Sequence, residues 1–285
     1  MTASLSELGT RKKPCVLLID SGDEQFAQVR RLLEFETELT RVNDLATAES
    51  LCSSAGLAPE LVFFTELWPG QLQAAAMERI GRLAPLARWW ILQGSLCEGE
   101  VRSGDPISGV LRAYWHQTAA RYESQLAIAR GGTIPLWALP ATAGDDERLI
   151  TGASQPHPQR IGLVAIVAPI RETAEALADA CRLCGYTTAW LNRSVEIAGG
   201  AMAVLWDTVA EDCADAARVG ELSRSAGSAP IIALLNFPRI EEVVRAHAAG
   251  VSAVVSKPFL IDELFWQLNQ LPLLTGTAKA GLEAG

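Results

Sequence analysis

The sequence predicts an α/β protein built from two doubly wound parallel sheets, and three observations carry that prediction. The stretch Pro230 to Leu264, PIIALLNFPRIEEVVRAHAAGVSAVVSKPFLIDEL, reads as strand, helix, strand, helix with very short joints. The amino-terminal half alternates apolar runs with helical patterns, which predicts a parallel sheet covered on both faces. A Pro- and Gly-rich stretch from Gly131 to Arg160 then divides a chain of 285 residues, long enough for two domains with separate cores. The expected boundaries are a first domain over 12–131, a linker over 132–159, a second domain over 160–272 and a flexible tail over 273–285.

In the first domain, Cys15 to Asp20 is an apolar strand ending in an acid, and Asp23 to Phe35 supports a helix with Phe26, Val29 and Leu33 on one face. Glu38 to Val42 is the second strand. Asn43 or Asp44 caps a helix reaching about Ser54, because a short side-chain oxygen can satisfy the free amides of a first turn. Leu61 to Phe64 is the third strand, followed by Thr65-Glu66 and Pro69-Gly70, and Arg88 to Gln93 is the fourth, ending in Gly94-Ser95. Leu96 to Gly109 is rich in Gly and Ser without helical periodicity, so no regular fourth helix is expected. Gly109 to Trp115 gives the fifth strand and Gln117 to Arg130 the closing helix.

Within the linker, Ile134 to Leu139 is too apolar for a free tether. It is expected to pack on one of the domains, where the first lacks its fourth helix, with Trp137 largely buried. The second domain runs as strand Ile161 to Ala168, helix Arg171 to Cys184, strand Thr187 to Leu191, a short helix between Asn192 and Gly200, strand Ala201 to Trp206 ending at Asp207, and helix Glu211 to Ser225. Strand Pro230 to Leu235 then leads to a helix with Ile240, Val243, Val244 and His247 on its apolar side, closed by Gly250, whose freedom suits a left-handed cap. After the β-branched run Val251 to Val255, the last helix turns Ile261, Leu264, Phe265 and Leu268 inward and leaves Trp266 off that stripe.

Composition narrows the function classes. A net charge of −9, with Arg11-Lys12-Lys13 as the only basic run, argues against nucleic acid, which demands clustered Lys and Arg. The amino terminus lacks the apolar core of a signal peptide, and no apolar stretch approaches bilayer length, so no membrane partner and a cytoplasmic location are expected. Six cysteines form no disulfide framework and read as free thiols. Cys181-x-x-Cys184 lies in a helical pattern without a second pair, which favours small apolar helix residues over a zinc half-site. Cys97, Glu98, Glu100 and His116 combine thiolate, carboxylate and imidazole around the irregular fourth loop. They are the candidate set for a metal or small-molecule site, against a structural loop whose polar groups satisfy one another.

The run Val251 to Val255, Ser256-Lys257-Pro258-Phe259 and the helix after it closely resemble the last third of a response-regulator receiver domain, in which a lysine-proline pair ends the fifth strand. Pro69-Gly70 and the strand count extend the resemblance to the first half. It implies two flavodoxin-like (βα)5 folds in tandem, and a Lys257–Pro258 peptide bond that is cis. Carried over by position, Asp207 stands at the phosphoryl-acceptor position of the second domain with Lys257 as the strand-five lysine. Ala168-Pro169 stand where the family places acids for magnesium, and Leu235 where it has serine or threonine. In the first domain the acceptor position is Thr65, Asp20 is a remnant of the acidic pocket, Ser95 could stand at the serine/threonine position, and Trp115-His116 replace lysine and proline.

A threonine hydroxyl lacks the charge and low pKa of a carboxylate acceptor. Phosphoryl transfer also needs cations to offset the oxygens gathering at the acceptor. The resemblance therefore implies pseudo-receivers with no catalytic residue and no resident cofactor, magnesium entering only under the alternative in which Asp207 is phosphorylated. The second domain also resembles the unphosphorylated receiver-like domain of the amide-operon antitermination regulator, which acts through protein contacts. By that resemblance a partner face is expected on the last two helices and the strand between them, with His247, Phe259 and Trp266 as its residues and another protein or a second copy as partner.

Overall fold

A computed structural model of the chain describes residues 13–98, 107, 109–140, 142–143, 147, 150–151, 160–191, 200–227 and 229–280, the last ten by backbone alone. The first sheet uses β1 (Cys15–Ile19), β2 (Glu38–Val42), β3 (Leu61–Glu66), β4 (Arg88–Gln93) and β5 (Leu111–Tyr114), with helices α1 (Ala27–Glu36), α2 (Leu45–Ser54) and α3 (Ala74–Leu83) between them and α4 (Thr118–Arg130) after β5. The second uses β6 (Leu163–Val167), β7 (Thr187–Leu191), β8 (Ala201–Asp207), β9 (Ile231–Asn236) and β10 (Ala253–Lys257), with α5 (Arg171–Leu183), α6 (Ala210–Ala214), α7 (Ala216–Ser225), α8 (Ile240–Ala249) and α9 (Ile261–Ala280). Both sheets are five-stranded, and their orders, β2-β1-β3-β4-β5 and β7-β6-β8-β9-β10, are the same. Every pairing is parallel.

Compactness divides the chain into Met1–Ala119 with Leu136–Gly144, and Ala120–Pro135 with Asp145–Gly285. From Ala120 on, α4 therefore belongs with the second unit.

The central strands form because a parallel strand is buried on both faces and so needs an unbroken apolar run. β3 is buried at every position, and in β8 Ala203 to Trp206 are all buried, whereas the edge strands β2 and β7 are mostly open. In the first sheet Leu17, Ile19, Val62, Phe64 and Ile91 pack with Ala48 of α2 and Ile80 of α3. The alternate side chains Phe63 and Trp90 stack at 5.6 Å on the opposite face, as the two-residue period of a strand requires. In the second sheet Ile166, Leu205, Leu234 and Val255 meet α5 and α9, while Ala165, Val204, Trp206 and Leu235 meet α6, α7 and α8. Cys181 and Cys184 lie inside the first of these layers, and burial pushes their thiols up to about 12 and about 11, which makes them packing groups.

Several local expectations change. Asp44, not Asn43, caps α2, accepting from the Thr47 amide at 2.8 Å. The expected helix Glu211 to Ser225 is two helices, because Asp215 takes an extended ψ of 101° and accepts from the amides of Ala217 and Arg218, starting α7 afresh. On α8, Val244 is 58% exposed and His247 is exposed, with Ala246 buried instead. The small alanine lets the helix approach the sheet, and the stripe rotates accordingly. His247 keeps one bond, from Nδ1 to the Val251 carbonyl at 2.9 Å. Gly250 closes α8 at φ 108°.

In α9, Leu264, Phe265 and Leu268 turn inward as expected, whereas Ile261 is 38% exposed. The helix also continues to Ala280, into the stretch expected to be a tail. Leu136–Ala138 forms one 3₁₀ turn that sets Trp137 at 6.2 Å from Trp90, half-buried. It thus covers the Phe63–Trp90 face of the first sheet, opposite the α2–α3 face. The short helix expected between Asn192 and Gly200 lies outside the described residues.

Candidate functional site

In an open parallel sheet the strand ends deliver side chains and loops to one edge. At the first unit's edge, Asp20 follows β1 and is 1% exposed. Its carboxylate meets two guanidiniums, Arg41 of β2 at 2.7 Å and Arg30 of α1 at 3.4 Å, and accepts from the Gly22 amide at 3.0 Å. Thr65, also 1% exposed, is bonded into the same loop: its hydroxyl oxygen accepts from the Ser21 amide at 2.7 Å and lies 3.4 Å from the Ile19 carbonyl. The hydroxyl at the acceptor position therefore pins the loop after β1. Gln25 completes the closure by accepting from the Ser95 amide at 2.8 Å.

Strand register reassigns one position. Leu92 lies beside Thr65, as Leu234 lies beside Asp207, so the counterpart of Leu235 is the buried Gln93. Ser95 falls two residues further on, in a 3₁₀ turn. Gln93 pairs with Tyr114, which keeps Trp115-His116 beyond the end of β5, where the lysine-proline pair was expected.

The candidate metal set does not assemble among the described residues. Cys97 is buried and gives its thiol to the Glu66 carbonyl at 3.4 Å. His116 packs face to face with Tyr114 at 5.8 Å and edge-on to Trp115 at 5.3 Å, and burial pushes its imidazole down to about 4. Glu100 lies outside the described residues. Among those described, no three His, Cys, Asp or Glu side chains stand together to hold a metal ion.

At the second unit's edge, Asp207 ends β8 and Lys257 ends β10. Lys257 Nζ donates to the Asp207 carboxylate in an ion pair whose side chains are 23% and 9% exposed. Ala168 and Pro169 follow β6 and add no side-chain oxygen, and Leu235 of β9 is buried carbon. Both units are receiver-like. They share the strand order, and the second receiver-like unit also brings the acceptor and lysine positions together. Its Lys257–Pro258 bond is cis, as the resemblance implied.

Magnesium's near-octahedral oxygen shell fits neither edge. Asp20 faces two guanidiniums and Asp207 faces an ammonium; Asp212, which lines the same cavity as Asp207, is paired with Arg218, and among the described residues no three metal-ligating side chains stand together.

The expected partner residues are dispersed in character. Phe259 is half-buried on the α5–α9 layer, and His247 is exposed. Trp266 is not an open aromatic: within the second unit its indole donates to Glu123 of α4, and Gln270 donates to the same carboxylate at 3.1 Å. One turn earlier Glu263 is 3% exposed, and burial lifts its carboxyl to about 8 against the opposing pull of Arg121.

Sequence reasoning missed Arg30 and Arg41 as the counter-charges of Asp20. The available signal was Arg41 itself, a charged residue one place from the end of a strand that pairs beside β1.

No family model and no curated protein matches the chain. Solved structures are similar to part of the chain. A response regulator from Thermotoga maritima is 16% identical, with 39% of this chain and 98% of that one covered and a TM-score of 0.33. An orphan response regulator of H. pylori is 16% identical over 40% and 98%, with a TM-score of 0.33. A putative pilus assembly-related protein from Burkholderia pseudomallei is 15% identical over 39% and 89%, with a TM-score of 0.34.

Proposed function

We propose that the chain is a non-catalytic regulatory protein whose two degenerate receiver-like units act through protein contacts, self-association included. The observation that carries this reading is that both acceptor positions are committed internally: Thr65 to the Ser21 amide, and Asp207 to Lys257 with Ala168-Pro169 in place of acids. A phosphoryl acceptor needs an accessible anionic oxygen and cations that offset the incoming charge. Neither edge provides both.

Six free thiols fit a reducing cytoplasm, and among the described residues no helix is long and apolar enough to cross a membrane. His247 and Phe259 remain the proposed contact residues on α8 and the β10–α9 joint. Trp266 leaves that set because its indole is already bonded.

One observation favours a second reading: the Asp207–Lys257 pair preserves two members of a receiver's acceptor set. A radiolabelled small phosphodonor, supplied with magnesium, separates the two. The expected result is labelling no higher than in Asp207→Asn, together with concentration-dependent association in sedimentation. Stoichiometric labelling that disappears in Asp207→Asn would establish the second reading instead.

A further inference from the structure

The second unit's strand ends carry a feature that acceptor chemistry leaves unused. Ile170 follows β6, Val209 follows β8, Phe237 follows β9 and Leu260 follows β10, with exposures of 54, 51, 54 and 40%. These four strands are consecutive in the sheet, and neighbours lie about 4.8 Å apart, so their loops emerge along about 15 Å of one edge. Single exposed apolar residues are ordinary, but four at one edge form a patch.

Phe237 adds an independent sign. Its φ is 43°, the one positive φ outside glycine among the described residues, and it precedes Pro238, which restricts the backbone before it. Strain of this kind concentrates at functional sites. Here it holds an aromatic ring half in solvent.

Beside the patch opens a cleft of about 950 Å³ lined by Leu177, Leu183, Leu234, Phe259, Ile261 and Lys257. Because Lys257 gives its ammonium to Asp207, its contribution to the cleft is mainly the hydrocarbon stem. The volume is that of a small-molecule or side-chain pocket.

Charge selects the occupant. The helices that start at this edge carry acids in their first turns: Glu172 in α5, Glu211 and Asp212 in α6, Glu241 and Glu242 in α8, and Asp262 in α9. Such acids stabilise their own helices and need no partner for that. Of the local bases, Arg171 is paired with Glu175, Arg218 with Asp212 and Lys257 with Asp207, and Arg239 at the start of α8 is exposed, so Glu172, Glu211, Glu241, Glu242 and Asp262 outnumber the bases left over. The result is an apolar patch at an edge with a net excess of acids. A second copy of this edge, on a chain of net charge −9, would meet it with like charge.

We infer that the strand-end edge of the second unit is a docking surface for a basic amphipathic segment of a partner protein. Its apolar side chains seat on Phe237 and in the cleft, and its Lys and Arg meet the surrounding carboxylates. This inference rests on the protein-contact reading above and adds the chemistry of the partner.

The test is a fluorescence-anisotropy titration of the full chain with a labelled amphipathic Leu/Lys peptide of about 18 residues, set against a scrambled peptide of the same composition and a Leu/Glu analogue. The Leu/Lys peptide should bind at least about tenfold more tightly than either control, and Phe237→Ser and Ile261→Ser should each weaken it at least about fivefold. Leu86→Ser, at an exposed apolar residue of the first unit, should leave binding unchanged. Amide exchange should slow in the loops after β6, β8, β9 and β10. Should Phe237→Ser unfold the chain, Phe237→Gly, which suits the positive φ, takes its place.

Equal binding by the scrambled peptide, equal loss in Leu86→Ser, or protection confined to other segments would overturn the inference. The same holds if no peptide binds. That failure, with no phosphodonor labelling, removes the docking surface alone, whereas labelling of Asp207 removes the wider reading.

Discussion

The two receiver-like units end their central strands in opposite chemistries. In the first, Asp20 holds Arg30, Arg41 and the Gly22 amide, Thr65 holds the Ser21 amide and Gln25 the Ser95 amide, which together make a polar knot. In the second, two ion pairs, Asp207–Lys257 and Asp212–Arg218, lie at an edge whose loops expose Ile170, Val209, Phe237 and Leu260. The first edge exposes Trp68 and Leu96 beyond its knot. The difference shows two ways for a fold to keep a carboxylate once acceptor chemistry is gone. It can be surrounded with fixed cations and amide donors, or tied to one flexible lysine while the neighbouring loops expose apolar side chains. The first outcome stabilises a loop; the second leaves a surface.

The largest expected effect tests that contrast directly. Asp20→Asn leaves Arg30, 13% exposed on its side chain, and Arg41 facing each other without their anion. Breaking a buried pair in this way costs about 3 kcal/mol or more. Asp207→Asn releases Lys257, whose side chain is 23% exposed and can turn to water, so the loss should be nearer about 1 kcal/mol. Urea unfolding of both variants measures the difference. If Asp207→Asn proves the more damaging, the second pair is a structural keystone and the contrast fails.

The two units should also respond to pH in opposite directions. Glu263, in the second, has its folded pKa raised by burial from 4.5 to about 8. Its contribution is fully present below 4.5 and is lost as pH rises through about 8, because the folded state holds the proton more tightly. His116, in the first, has its folded pKa lowered from 6.5 to about 4. Its contribution is present above 6.5 and is lost as pH falls through about 4, because the unfolded chain takes up the proton first. On the scale of one pKa unit per 1.36 kcal/mol, the Glu263 window corresponds to about 5 kcal/mol and the His116 window to about 3 kcal/mol. Glu263→Gln should flatten the alkaline decline and leave the acid one, and His116→Gln the reverse, as read from unfolding midpoints across pH. A single variant that flattens both limbs would show that the two groups titrate as one system.

How much of this was legible in the sequence depends on which residues report on themselves. β2, β4 and β7 have the predicted limits, and the other strands fall close to them, because apolar runs are a local requirement of parallel strands. Asp207 and Lys257 were recognisable because each ends a strand, and parallel register then brings them to one edge. Asp215 as a cap was also readable, since Asp is among the residue types that start a helix by accepting from its first amides. Other features were not local. Arg30 and Arg41 are counter-charges only once α1 and β2 flank β1. Trp266 lies off the inward stripe as read, yet Glu123, far away in the chain, takes its indole. His247 was placed on the wrong side of α8 because the apolar side chains outvoted Ala246, whose small size is what allows close approach. The φ of Phe237 carries no sequence signature: its backbone is fixed by the loop between Asn236 and Pro238.

The smallest predicted effect is the sharpest on the second edge. Phe237→Gly removes a side chain that is 54% exposed, so little burial is lost, and places the residue best suited to φ 43°. Relief of a left-handed non-glycine residue is worth 1–3 kcal/mol, set against roughly 0.5–1 kcal/mol of added chain entropy, for a net gain of about 1 kcal/mol. Among the described residues of the first edge, none outside glycine has a positive φ, so none offers the same gain. A chain that becomes more stable in urea while losing the basic peptide would show that Phe237 is kept for contact at the expense of the fold. A chain that becomes less stable would mean that the ring packs on its own unit. The second edge would then be closed by an aromatic side chain as the first is by polar bonds.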